Sequence, residues 1–212
     1  MKEILVLWMY LDAQKKAILL KEVYPSLSTS LQEYHDSFLF EKDRFHFLAG
    51  RKMLMDSLVK EGLGQELINH IKQNDFGRPY IENAPDFNIS HSGELVVMAW
   101  SKVSRIGVDT EEIRTIDFTE YEEFFTPLEV LSIKNNTNLA EQCLRVWTRK
   151  EALGKYLGKG LSEDRLASID VLQPFVSMEG QNLFFHEVDL LPAYITHLVT
   201  DLPNAKITLL RH

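Results

Sequence analysis

The chain of 212 residues holds a single cysteine, Cys143, which excludes an intrachain disulfide and any cluster of thiolate metal ligands. A lone cysteine fits a reducing compartment, and its place in an apolar helical pattern is that of a buried bystander. Long apolar runs are missing too. Ile4 to Leu11 is bracketed by Lys2, Glu3 and Asp12, which suits a buried strand better than the core of a signal peptide. No run approaches the ~20 residues needed to span a bilayer. Nor is positive charge in excess: the net charge of -8 argues against the broad basic surface of a general nucleic-acid binder. An anionic substrate would have to be met by a local group of Lys, Arg and His. What these absences leave is a cytoplasmic globular protein without nucleic-acid or membrane partners. Its 45% hydrophobic residues supply an ample core.

Apolar positions predict a first strand at Ile4 to Tyr10, a turn-rich linker at 25–30 and one long helix from Leu39 to Glu61, stopped by Gly62 and Gly64. Asn74 to Pro79 reads as a loop, followed by strands at 87–89 and 95–100 around a polar turn. The second half opens on a strand at Ile106 to Thr110 and continues through helices near 118–135 and 139–157. It closes on strands at 166–171, 182–188, 194–200 and 206–210. That plan resembles the first half without a residue-by-residue repeat. Two lobes are expected, 1–103 and 104–212, sharing a substantial interface.

Three short segments carry the chemistry. In IGVDTEE (106–112), strand alternation places Asp109 and Glu111 on one face and Val108 and Thr110 on the other. Two carboxylates on one face call for a cation, basic groups or water between them. Mg²⁺ takes one or two carboxylates plus phosphate oxygens and waters. Alone, the segment fits a solvated acidic strand end better. In VWTRKEALGKY (146–156), Glu151 and Lys155 stand four apart on one helix face. They fit either a surface ion pair worth about 0.3–0.5 kcal/mol or a phosphoryl-transfer site. Lys150 is expected to face solvent or to pack. In ISHSGE (89–94), a turn of small polar residues can converge backbone N–H groups on a phosphate, with Ser90 and His91 adding donors. A lone turn histidine also fits a structural role, and Arg78 in FGRPYI is equally open by itself.

Together, FNISHSG, then GVDTE about a dozen residues on, then WxxKEAxxK resemble the signature of Sfp-type 4′-phosphopantetheinyl transferases. FGRP and AGRKML extend the resemblance more weakly, over roughly residues 30–165. It implies an α+β fold, a pseudo-dimer of two similar lobes with the active site in the cleft between them. The implied reaction moves the phosphopantetheine arm of coenzyme A to a serine of an apo acyl, peptidyl or polyketide carrier protein, releasing adenosine 3′,5′-bisphosphate. By position, Asp109, Glu111 and Glu151 would hold Mg²⁺ (or Mn²⁺), and Asp109, Glu151 and Lys155 would be the catalytic residues. Coenzyme A would be held by Arg44, Arg78, Ser90, His91 and Lys155, with His91 at the 3′-phosphate and Arg78 at the nucleotide. Tyr34 and Phe47 depart from the pattern, standing where relatives place basic or polar contacts, and Lys42 or Arg44 could compensate. A carrier surface formed by the second lobe near Phe124 and Phe125, residues that core packing explains equally well, and a monomeric state are expected. Two other readings use the same residues: a Mg²⁺-dependent nucleotide pyrophosphatase or phosphodiesterase, and a coenzyme A-binding relative without catalysis.

Overall fold

The β-branched and aromatic run EILVLWMY forms β1 (Glu3–Tyr10), largely buried in the computed structural model, which describes residues 2–159 and 167–212. Asp12 caps α1 (Ala13–Ile18) by accepting the Lys15 amide at 2.8 Å. The helix continues into a π turn (Leu19–Val23) and a 3₁₀ turn carrying Pro25, then α2 (Thr29–Ser37) and the long α3 (Glu41–Lys60). The expected linker at 25–30 is therefore mostly helical. Pro25 stands in a first turn, where its missing N–H costs nothing, and Ser28 occupies an N-cap position.

Two short strands, β2 (Lys72–Gln73) and β3 (Pro79–Tyr80), frame the loop carrying Gly77 and Arg78. Then come β4 (Asp86–Ser92), β5 (Leu95–Ser101) and β6 (Ile106–Glu112). Of the helix expected near 118–135, only α4 (Pro127–Lys134) is α-helical, opened by a Thr126/Glu129 capping box. α5 (Leu139–Leu157) ends at Gly158 with φ 58°. β7 (Phe175–Met178), β8 (Gln181–Glu187), β9 (Tyr194–Thr200) and β10 (Lys206–Arg211) complete the α+β chain.

The strands form two four-stranded sheets, β10-β1-β5-β4 and β6-β9-β8-β7. β10 returns to the first sheet, parallel to β1, with Lys206 opposite Glu3. α3 covers one face of that sheet, packing Leu48, Met53 and Leu54 against Leu7, Phe87 and Met98. The opposite face, through Ile4, Val6 and Val97, meets Ile106, Val108 and Leu198 of the second sheet. A third core lies under α5, around Cys143, Val146, Leu153 and Val199. Burial pushes the Cys143 thiol up to about 12, so it is an inert core residue.

The strand expected at 166–171 does not form: Leu166 lies outside the described residues, and 167–171 pair with no strand. Side chains satisfy that backbone instead. Lys150 donates to the Ile169 carbonyl at 2.8 Å, Arg149 to Val171 O at 2.9 Å, and Glu129 accepts the Val171 amide at 2.8 Å. Lys150, far from solvent, is fully buried in an ion pair with Glu129 at 2.8 Å. β7, absent from the sequence reading, is set by the turn Glu179–Gly180, both at positive φ, which folds it onto β8.

Candidate functional site

The two sheets meet edge to edge at β4 and β6, and side chains make the join. Asp86, Asn88, Ser90 and Ser92, all on one face of β4, accept the amides of Ile106, Val108, Thr110 and Glu112 at 2.8, 2.8, 3.4 and 3.0 Å. The four rungs keep a constant offset of 20 residues, so the strands run in the same direction a side chain's width apart. The other face of β4 turns to α3. There Ile89 touches Gly50, and the His91 ring stacks on His46 with centroids 4.2 Å apart.

The last two rungs reach the acidic pair. Ser90 donates its hydroxyl to Asp109 Oδ1 at 2.7 Å, and Ser92 donates to Glu111 Oε2 at 2.8 Å. Strand alternation holds as expected. Thr110, on the opposite face, bonds Thr196 at 2.8 Å, and Val108 is in the core. α5 lies directly on β6 because Gly107 leaves room: a side chain there would overlap the backbone at Ala152 and Tyr156. The close approach carries Glu151 and Lys155 over the carboxylates. Lys155 Nζ reaches Asp109 Oδ1 at 2.6 Å and Ser90 Oγ at 2.9 Å. Its ion-pair partner is thus Asp109 on the strand beneath the helix rather than Glu151 on the helix itself, and its bond to Ser90 is the one that crosses the sheet junction.

The local electrostatics follow from this crowding. Burial, then Asp109 nearby, raise the Glu151 carboxyl above its usual range, and Glu111 adds to the repulsion. Burial also raises Glu111, more than the Ser92 hydroxyl lowers it, and Asp109 adds to the rise. Asp109 Oδ2 is buried with no hydrogen-bond partner. Among the described residues, no group of three or more His, Cys, Asp or Glu side chains is arranged to hold a metal ion by itself. The donor set fits an open site for a hard cation: carboxylate oxygens only, one of them orphaned, in a cluster whose mutual repulsion a cation would relieve.

Beside Glu151 and Lys155 opens a cavity of about 360 Å³, walled by Phe76, Pro79, Asn88 and Ile89. His91 stands at the other end of the β4 rungs. Desolvation of the ring, with His46 and Lys155 close by, pushes it down to about 4, so the imidazole is neutral in the free protein. His46 Nε2–H donates to Gly93 O at 2.9 Å, and its Nδ1 is buried without a hydrogen-bond partner, Asp43 lying 3.7 Å away. Gly93 has φ 53° and no room for a side chain against Glu112 and the Tyr194 hydroxyl.

Two expected anion contacts are committed elsewhere. Arg78 donates to both carboxylate oxygens of Asp86 at 2.8 and 2.7 Å, and to the carbonyls of Lys155 and Ile106. Its guanidinium ties the 74–79 loop to the end of α5, and Arg78 lines the cavity together with Phe76, Gly77 and Pro79 of that loop. Arg44 is not brought to the site. It caps the end of α2 through Phe38 O and Asp36 O. Tyr34 and Phe47 form an aromatic group with Phe38, and Arg51 lies over the Phe47 ring at 4.6 Å. Phe125 is buried, and Phe124 packs on Trp147 at 5.3 Å. Sequence reasoning passed over His46 and Ser92. Ser92 could have been found, because it shares the Ser90 face of β4; His46 could not, because nothing local links it to His91.

Known proteins place this arrangement. Residues 105–194 match the family model described as the 4′-phosphopantetheinyl transferase superfamily, and residues 19–103 match one described as 4′-phosphopantetheinyl transferase, N-terminal. The chain is 32% identical over 160 residues to a 4′-phosphopantetheinyl transferase of Bacillus subtilis, covering 72% of this chain and 70% of that one. It is 31% identical over 139 residues to the 4′-phosphopantetheinyl transferase gsp of Aneurinibacillus migulanus, covering 64% and 58%. With the L-aminoadipate-semialdehyde dehydrogenase-phosphopantetheinyl transferase of Schizosaccharomyces pombe it shares 30% identity over 164 residues, 65% of this chain and 64% of that one. The match thus spans less than two thirds of two of these three relatives. The join between the two family models, at 103–105, falls just before β6, so the acidic strand and α5 lie in one and the serine rungs in the other. On these matches the chain belongs to the 4′-phosphopantetheinyl transferase superfamily, a family of transferase enzymes.

Proposed function

We propose that this chain is a cytoplasmic, monomeric enzyme that transfers the 4′-phosphopantetheine arm of coenzyme A to a serine of an apo carrier protein. The observation that carries the reading is the convergence of Lys155 from α5, Asp109 from β6 and Ser90 from β4 within 2.6–2.9 Å at the sheet junction, in a chain of this family. In this reading the two sheet-and-helix halves form a pseudo-dimer, and the substrate lies in the cleft between them. Asp109, Glu111 and Glu151 would hold Mg²⁺ or Mn²⁺, which when bound offsets charge on the coenzyme A diphosphate.

The chain's own groups do the rest. Lys155 is the ammonium nearest the carboxylates, and with Ser90 and Asp109 orienting it, it can swing to a diphosphate oxygen and steady the charge that builds there. Glu151, raised by burial and its acidic neighbours, is suited to take the proton of the incoming serine hydroxyl. The serine oxygen bonds to the β-phosphorus, the bond to the bridging oxygen breaks, and adenosine 3′,5′-bisphosphate leaves with that oxygen. His91 serves the 3′-phosphate: a dianion beside the ring would draw a proton onto it and turn a neutral donor into a charged one.

Intact-mass measurement of apo carrier proteins incubated with the chain, coenzyme A and Mg²⁺ tests the reading. The expected result is a gain of one phosphopantetheine, abolished by EDTA. Coenzyme A cleaved without a modified carrier would replace transfer with hydrolysis. Coenzyme A bound but intact, with every carrier unmodified, would leave a binding protein.

A further inference from the structure

Ser92 sits at the last rung of the β4–β6 join and makes two bonds through one oxygen. Its hydroxyl donates to Glu111 Oε2 at 2.8 Å and accepts the Glu112 amide at 3.0 Å. Ser90 repeats the motif one rung earlier, donating to Asp109 and accepting the Thr110 amide. The first two rungs differ, because Asp86 and Asn88 have no such bond to a carboxylate of β6. Only the two rungs beside the acidic pair carry a hydroxyl, the smallest group able to donate and accept at one atom. Lys155 supports Asp109 directly, at 2.6 Å. Glu111 is only half-buried, and the Ser92 hydroxyl holds one of its oxygens at 2.8 Å, so Ser92 is what fixes its direction.

We infer that Ser92 is a positioning residue: by pinning one oxygen of Glu111 to β4 it keeps the carboxylate aimed beside Asp109 and ties the cation site to the register of the two sheets. The inference rests on the proposed role of Asp109, Glu111 and Glu151 in holding a divalent cation. Groups that orient a ligand in this way typically change metal affinity by about 10–100-fold. The role belongs to the free protein as much as to the reacting one, and is therefore open to measurement without turnover.

The probe is Mn²⁺ alone, titrated into the full chain without coenzyme A or carrier and followed by the loss of its free-ion paramagnetic resonance signal. Ser92→Ala should weaken Mn²⁺ about tenfold, and Ser92→Thr, which keeps the hydroxyl, should stay within about twofold of the wild type. Melting curves of both variants separate this from a general loosening: a purely structural Ser92 would lower the melting temperature and leave Mn²⁺ uptake unchanged. Equal Mn²⁺ affinity in Ser92→Ala and wild type overturns the inference, as does a wild type that binds no Mn²⁺. A tenfold loss rescued by threonine supports it even if no carrier is modified, a result that would count against the transferase reading alone.

Discussion

α3 and α5 are the two long helices of the molecule, and each lies across a strand at the sheet junction, α3 on β4 and α5 on β6. Both contacts need a glycine, but from opposite partners. On α3 the helix gives up its side chain, at Gly50 facing Ile89; under α5 the strand does, at Gly107 facing Ala152. What they bury differs more. α3 buries His46 behind His91, while α5 buries Lys150 with a carboxylate partner and extends Glu151 and Lys155 toward the acidic strand. Similar packing thus supports different work. In the proposed reading one helix backs a binding turn, and the other carries the reactive groups.

The largest test of that division is Asp109→Asn, which should cut carrier modification about 10³-fold or more, with the fold intact by circular dichroism. His46→Ala, at the α3 contact, should spare the rate at saturating coenzyme A. A normal rate in Asp109→Asn would remove the α5 side from the chemistry. Next is Lys150→Met, which strands Glu129 without its cation and should cost about 3 kcal/mol in urea unfolding. Adding Glu129→Leu should recover most of the loss, because a buried ion pair is worth little over a well-packed apolar one.

The two glycines sharpen the contrast. Gly107→Ala meets backbone and should cost about 2–3 kcal/mol. Gly50→Ala meets only the tip of Ile89 at 3.3 Å, and the gain in helix propensity should leave it neutral or slightly stabilising. Equal losses would mean that both contacts are equally rigid.

His91→Ala should raise the KM for coenzyme A about tenfold with little change in kcat, and raise it less for the 3′-dephospho analogue. Equal effects on both ligands would take His91 away from the 3′-phosphate.

The smallest effect concerns pH. Glu111 is raised in the folded protein, so between its unfolded and folded pKa values the native state binds the extra proton, and stability falls as pH rises through that window. Glu111→Gln should therefore stabilise the metal-free protein more at pH 7 than near pH 4. A gain of the same size at both pH values would point to packing instead of charge.

Much of the site could be foreseen, because its parts obey local rules. Strand alternation puts Asp109 beside Glu111, and a four-residue helical step puts Glu151 beside Lys155. What escaped depends on who meets whom. Lys155 pairs with Asp109 on the strand beneath it and reaches across the junction to Ser90, while Arg78 is tied to Asp86 and to backbone carbonyls and Arg44 to backbone carbonyls. His46 enters only because α3 crosses β4. The same holds for the fold. β1, β5 and β9 are marked by their own apolar residues, whereas 167–171 carries apolar residues yet is bonded by Lys150, Arg149 and Glu129 instead of a neighbouring strand.

The pairing of β10 with β1 also bears on how the chain is made. Lys206 to Arg211 lie against Glu3 to Trp8, so one edge of β1 stays open until about 200 further residues have left the ribosome. The first half cannot close its sheet by itself, and a contact that distant in sequence forms late and slowly. Until then an apolar strand edge is exposed to other nascent chains. Such a protein is expected to depend on chaperones while it is being translated, and to lose yield sharply when β10 is clipped even though the proposed catalytic groups all lie upstream.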